Sequence, residues 1–82
     1  MFKVTFRKLP ELLTNMFGTS FRSEKAVKAF IAKDAEFYAN AHGFGENFKL
    51  ENEEPNDADY FVLYRLCGVS RTPVLVYQYF RM

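Results

Sequence analysis

The segment SEKAVKAFIAKDAEFYANAHGF, residues 23–44, carries the strongest secondary-structure signal in the chain. Its apolar residues recur every three or four positions, the spacing of one helix face: Val27, Phe30, Ile31, Ala35, Phe37, Tyr38 and Ala41. Ser23 is a favourable N-cap, and Glu24 lies where the helix dipole favours an acid. Gly43 suits the left-handed position that ends a helix. The pattern predicts a helix over residues 24–41.

Strands are predicted on both sides of this helix. Phe2, Val4 and Phe6 alternate with polar residues, which is the pattern of a strand with one buried face. Further strand-like stretches cover residues 48–51, 60–67 and 74–81. The last two are apolar on both faces, as is typical of central strands or of strands that meet a partner. Short connections between these three strands predict an antiparallel meander, with a turn over residues 68–73.

Residues 9–22 allow two interpretations. Five apolar residues have helical spacing, which favours a short helix over residues 10–16: Leu9, Leu12, Leu13, Met16 and Phe17. Pro10 suits the first helical turn and Gly18 a position just after the end. The alternative is a hairpin with a turn near Thr14 and Asn15, followed by a second strand.

These elements predict an α+β fold in which one long helix packs against an antiparallel sheet of four, or five, strands. The order is β, short α or β, α, β, β, β. With 82 residues, we expect one domain over 1–82. The aromatic content of 18% suits a small core, because each ring buries a large area.

Composition excludes several classes of protein. The single cysteine, Cys67, cannot form an intrachain disulfide. The first residues contain no signal-peptide core, and no apolar run is long enough to span a bilayer, so we expect a cytoplasmic protein. Net charge is +5 over residues 1–33, −7 over 34–59 and +3 over 60–82. This separation predicts that the folded protein has basic and acidic regions.

Asp34 is the anomaly of the helix, because it falls within the apolar stripe. A buried carboxylate needs a partner, and the candidates are Arg7, Arg65 or a tyrosine hydroxyl. The alternative is a functional acid that faces a ligand.

No catalytic or metal-binding motif is visible in the sequence. His42 is the only histidine, and its place at the helix C-terminus accounts for it. The Gly43-Phe44-Gly45 segment follows a helix and lacks the pattern of a phosphate loop. The acidic residues between Glu51 and Asp59 lack the spacing of an EF-hand. We therefore predict no metal and no cofactor, and the balance favours a protein that is not an enzyme.

Two resemblances bear on function. The order of elements resembles that of the ribosome-associated ribonuclease toxins of toxin–antitoxin pairs, which implies RNA cleavage with Arg65 and Arg81 as the nearest candidate residues. In general character the chain also resembles short bacteriophage proteins that inhibit host machinery, with one domain, many aromatics, uneven charge and no catalytic motif.

The leading hypothesis from sequence is a small protein-binding module, of the phage-inhibitor type, that covers a functional site of a host protein. The predicted binding residues form two patches: Tyr77, Tyr79, Arg81 and Arg71, and then Glu53, Glu54 and Asp57. One alternative is an RNA-binding protein or toxin-like ribonuclease that uses the arginines and aromatics of the C-terminal strands. Another is a structural homodimer that pairs through a two-sided apolar strand.

Overall fold

A computed structural model describes residues 1–53 and 58–82 of the protein. In this part of the chain one helix, α1, packs against a five-stranded antiparallel sheet with the strand order β2-β1-β5-β4-β3. The elements are β1 (Phe2–Lys8), β2 (Asn15–Phe21), α1 (Glu24–Ala41), β3 (Phe48–Glu53), β4 (Asp59–Cys67) and β5 (Ser70–Arg81). The predicted α+β class and the five-strand alternative are confirmed.

Helix α1 has the predicted bounds. The Ser23 hydroxyl accepts a hydrogen bond from the Ala26 N–H at 3.2 Å, which satisfies a donor of the first turn. His42 ends the helix, and its Nδ1 lies 2.9 Å from the Tyr38 carbonyl oxygen. Gly43 follows with φ of 72°, the left-handed conformation that glycine adopts without strain. Local sequence signals therefore determine both ends of this helix.

The core lies between α1 and one face of the sheet. Four helix residues are buried there: Val27, Ile31, Ala35 and Ala39. Phe37, predicted to be in the buried stripe, is instead 74% exposed. At 100° per residue it lies roughly 120° around the helix from Ile31, beyond the edge of the stripe. No helix in the described residues is long and apolar enough to cross a membrane.

The predicted short helix over residues 10–16 is wrong. The hairpin alternative with a second strand is confirmed, but its turn lies over residues 9–14 and is not centred near Thr14 and Asn15. Strand β2 begins at Asn15 and pairs with β1, while residues 9–14 form the connection. A helix of seven residues is marginal in isolation. Pairing with β1 satisfies the backbone and brings Phe17 and Phe21 against Phe30 of α1, each pair with ring centroids 4.9 Å apart.

Strand β5 is the centre of the sheet, between β1 and β4. This position explains why its sequence is apolar on both faces. The turn before it is shorter than the predicted 68–73, because β4 ends at Cys67 and β5 starts at Ser70. Gly68 has φ of 62°, which suits a two-residue hairpin turn.

Candidate protein-binding surface

The β1–β2 connection exposes apolar side chains to solvent. Leu12 and Leu13 are 88% and 68% exposed, and Met16, the second residue of β2, is 55% exposed. Their spacing favoured a short helix, but residues 9–14 form a loop and residues 15–21 a strand, and in this arrangement the three side chains are exposed. Neighbouring exposed apolar residues on a soluble fold mark interaction sites more often than single ones do.

An open groove of about 560 Å³ lies beside these residues. It is hereafter called the loop groove and is lined by Arg7, Leu9, Pro10, Leu12, Thr72, Pro73 and Val74. The Leu9 N–H donates to the Val74 carbonyl oxygen at 3.0 Å, which ties the loop to β5. The walls are mainly apolar, and Arg7 is the one charged residue among those that line the groove.

A second feature, the Tyr64 cluster, lies on the sheet face opposite α1 and comprises Lys49, Glu51, Glu53, Tyr64 and Arg71. The Arg71 guanidinium lies 4.4 Å from the centroid of the Tyr64 ring, and its Nη1 is 2.6 Å from Glu51 Oε1. The Tyr64 hydroxyl donates to Glu53 Oε1 at 3.3 Å, and Lys49 Nζ lies 3.3 Å from Glu51 Oε1. These contacts hold the arginine and the tyrosine in defined orientations.

The cluster shifts two ionisation equilibria. The pKa of Glu51 is lowered, chiefly by the hydrogen bond from Lys49 and then by Arg71. The pKa of Tyr64 is raised by desolvation and by the negative charge of Glu53. Both shifts favour the protonation states that the contacts require, an ionised Glu51 and a neutral Tyr64.

The strand register joins the loop groove to the Tyr64 cluster. Arg7 pairs with Val76, Val76 with Val62, and Val62 with Glu51, so one row crosses four strands on the helix-free face. Both valines of this row are buried although no helix covers them. Tyr64 also pairs with Pro73 of the groove wall. The two features therefore form one continuous surface.

Two of the predicted binding residues, Tyr77 and Tyr79, are buried in the core and present no ring to a partner. The register places Tyr77 beside Phe6 and Phe61 on the helix side of the sheet. The Tyr77 hydroxyl donates to Asp34 Oδ2 at 2.6 Å. The anomalous acid of the helix is thus paired with a tyrosine, one of the partners proposed from sequence, and burial followed by this hydrogen bond raises the pKa of Tyr77.

Tyr79 joins two carboxylates near the first turn of α1. Its hydroxyl is hydrogen-bonded to Glu24 at 2.8 Å and also to Asp59, which lies 4.0 Å from Lys28 Nζ. A small cavity of about 170 Å³ adjoins this group, and Arg81 also lines it. The sequence pattern did not associate Glu24 or Asp59 with Tyr79, because strand register brings Asp59 to Tyr79 and the packing of α1 on the sheet brings Glu24 there. The hydrogen bonds of Tyr79 with Glu24 and Asp59 therefore connect the helix to the sheet.

The remaining predicted residues are distributed over different parts of the molecule. Arg71 and Glu53, assigned to separate patches from sequence, meet in the Tyr64 cluster. Arg81 lies on the helix side, 5.2 Å from the centroid of the Phe2 ring. Glu54 and Asp57 lie outside the described residues.

The acidic stretch considered as a calcium site does not converge. Glu51 and Glu53 project from the helix-free face, whereas Asp59 is on the helix side opposite Tyr79. Within residues 1–53 and 58–82 no three histidine, cysteine or acidic side chains are grouped to hold a metal ion.

Comparison with known proteins identifies no relative: no family model, curated protein or solved structure matches the chain.

Proposed function

We propose that this protein is a protein-binding module whose partner covers the loop groove and the adjoining Tyr64 cluster. The observation that carries the proposal is the exposure of Leu12 and Leu13 beside an apolar groove. Two exposed leucines in one short loop have no stabilising role in the isolated fold, whereas burial against a partner is favourable by about 1.5–3 kcal/mol for each side chain.

The Tyr64 cluster suits the polar part of such an interface. Tyrosine and arginine are enriched among the residues that contribute most to protein binding. Tyr64 and Arg71 are already oriented by their mutual contact and by Glu51, so binding orders them at a lower entropic cost. The mixture of Lys49, Glu51 and Glu53 supplies charges of both signs that favour one orientation of the partner.

The mechanism of this proposal is steric. Strands β1, β4 and β5 hold the surface on a hydrogen-bonded sheet, so a partner meets a preformed shape. If the surface covers a partner's active or assembly site, it inhibits the partner by occlusion. The more specific proposal is that the protein is a phage-type inhibitor of a host protein in the cytoplasm. The separation of charge along the chain supports it by steering the encounter.

Affinity capture with matched variants tests the proposal. The double variant Leu12→Asp/Leu13→Asp places two charges in the apolar patch, and Phe37→Asp makes the same change at an exposed site on α1. We expect wild type and the Phe37 variant to enrich the same partner from the native source. Capture by the leucine variant should fall at least about tenfold, a loss of 1.4 kcal/mol or more. Equal capture by all three proteins, each shown by circular dichroism to be folded, refutes the proposal.

The RNA alternative is less favoured than protein binding, because two of the aromatic residues on which it rested lie in the core. Tyr77 and Tyr79 are buried, and Arg65, Arg71 and Arg81 each lie against a ring of this protein. Its test is direct: RNA binding predicts an affinity that falls steeply with salt. The homodimer alternative has a separate test, the dependence of the sedimentation coefficient on protein concentration.

A further inference from the structure

We infer that the loop groove receives a short segment of the partner protein that carries an apolar side chain and a carboxylate, and that the carboxylate pairs with Arg7. This inference rests on the proposed function and states which chemistry the surface recognises. It depends on the surroundings of Arg7, on the walls of the groove and on the contrast with the other arginines.

Arg7 is half-buried and lines the groove, yet its guanidinium has no carboxylate or hydrogen-bond acceptor among the residues that the structure describes. Asp34, the partner considered from sequence, is bonded to Tyr77 on the other side of the sheet. Arg7 instead pairs with Val76 on the helix-free face. A cation beside apolar side chains favours a neighbouring anion that binds there, because such a pair is screened less than a fully exposed one.

The other arginines of the sheet are arranged differently. Arg71 is in an ion pair with Glu51 and lies over Tyr64. Arg65 and Arg81 lie over Phe44 and Phe2 at 5.1 and 5.2 Å from the ring centroids. Arg7 therefore differs from the three arginines of β4 and β5 in having no such contact within the described residues, and it is the one that lines the apolar groove.

The walls of the groove explain why a carboxylate on an apolar segment fits best. Leu9, Pro10, Leu12, Pro73 and Val74 offer apolar contact, and the two prolines have no backbone N–H to donate. The Arg7 guanidinium is therefore the main polar group that can bind a ligand in the groove, and its paired N–H donors match the two oxygens of a carboxylate.

The size and charge of the site agree with this occupant. The volume of about 560 Å³ is in the range of sites that hold several side-chain groups. Arg7 supplies the positive charge of the groove, since Lys8, the next residue of β1, lies on the opposite face of the sheet. Glu11 belongs to the loop, but it is exposed and is not among the residues that line the groove.

A peptide titration followed by NMR tests the inference on the full chain. The probes are acetyl-Leu-Glu-Leu-Leu-amide and its glutamine analogue, which differ in one carboxylate. With wild type we expect both to shift the amide signals of Leu9, Leu12 and Thr72, and the glutamate peptide to bind about fivefold tighter or more, as one partly buried ion pair provides. Arg7→Gln should make the two affinities equal. Arg22→Gln, a matched change at an exposed arginine before α1, should leave the preference intact.

Three outcomes overturn the inference. The first is no shift of groove signals at millimolar peptide, and the second is equal binding of the two peptides by wild type. The third is the same shifts on raising the protein concentration alone, which would assign the groove to a second copy of this chain. Capture separates this inference from the proposed function. If Leu12→Asp/Leu13→Asp abolishes capture while Arg7→Gln retains it in full, the groove chemistry is wrong and the protein-binding proposal stands.

Discussion

Replacing Tyr77 by phenylalanine removes one of the side-chain hydrogen bonds that join α1 to the central strand of the sheet, the bond to Asp34. The ring itself remains, because phenylalanine fills the same buried space. The change deletes the donor to Asp34, whose carboxylate then lies half-buried near the core without a hydrogen-bond partner among residues 1–53 and 58–82. The variant therefore isolates one polar contact within an otherwise unchanged core.

The structure sets the size of the effect. The distance of 2.6 Å between the Tyr77 hydroxyl and Asp34 Oδ2 is that of a charge-assisted hydrogen bond. Such bonds contribute about 1.5–3 kcal/mol to stability. Water reaches the half-exposed Asp34 and replaces part of the loss, so we take the lower end, about 1.5 kcal/mol. In a domain of this length that corresponds to a melting temperature lower by roughly 6–12 °C.

Urea unfolding at pH 7, followed by circular dichroism, measures the free energy of unfolding of wild type, Tyr77→Phe, Asp34→Ala and the double variant. The double-mutant cycle separates the Tyr77–Asp34 coupling from other effects of each change. We expect a coupling energy of about 1–2 kcal/mol. Tyr60→Phe is the control, because the Tyr60 hydroxyl makes no hydrogen bond within the described residues.

A coupling energy below about 0.3 kcal/mol would refute the reasoning, since that is the error of additivity for independent sites. It would mean that Asp34 is hydrated in solution and that the tyrosine is held by packing alone. An equal loss in Tyr60→Phe would show that removing any tyrosine hydroxyl has the same effect.

Three further predictions concern ionisation and packing. Because burial and Asp34 raise the pKa of Tyr77 in the folded state, its contribution to stability is complete below about pH 10, the usual tyrosine pKa, and is lost progressively as the pH rises above that value. The chain has five tyrosines, so the Tyr77 phenolate is measured as the difference in absorbance at 295 nm between wild type and Tyr77→Phe. This difference should appear only with unfolding, and its appearance in a folded protein at pH 10 contradicts the prediction. The pKa of Glu51, measured by NMR of its side-chain carbon, should be below the usual glutamate value and should rise in Lys49→Gln more than in Arg22→Gln. Leu63→Ala should lower the free energy of unfolding by about 2–5 kcal/mol, because Leu63 is fully buried. Leu12→Ser/Leu13→Ser should change it by less than about 0.5 kcal/mol per residue. A large loss in the loop variant would show that the two leucines stabilise the fold and do not form a free surface.

The proposed surface was only partly accessible to sequence reasoning. Arg71 and Glu53 were identified as binding candidates from residue type, and the structure brings them together through Tyr64. Leu12 and Leu13 were missed because their spacing was assigned to a short helix, and nothing in that assignment indicated that they would be exposed. The hairpin interpretation did not identify them either, since it placed the turn near Thr14 and Asn15, whereas the connection covers residues 9–14.

What the sequence determined by itself is local. The bounds of α1 follow from the N-cap at Ser23, the apolar repeat and the glycine at position 43, and all of these act within a few residues along the chain. Strands β1, β4 and β5 follow in the same way from alternation and from two-sided apolar character. The need of Asp34 for a partner was also predictable, because the cost of burying a charge depends on the residue and its helical position.

Only the tertiary structure decided which residues meet. The pairing of β5 with both β1 and β4 turns Tyr77 and Tyr79 inward and leaves Arg7 on the opposite face, and a shift of one residue in register would exchange these faces. The pairing of β2 with β1 likewise overrides a weak helical preference in residues 10–16, because strand hydrogen bonds and the contacts of Phe17 and Phe21 with Phe30 outweigh it. These pairings join residues up to about 79 positions apart, Phe2 and Arg81, and no pattern within a short window of sequence specifies such a contact.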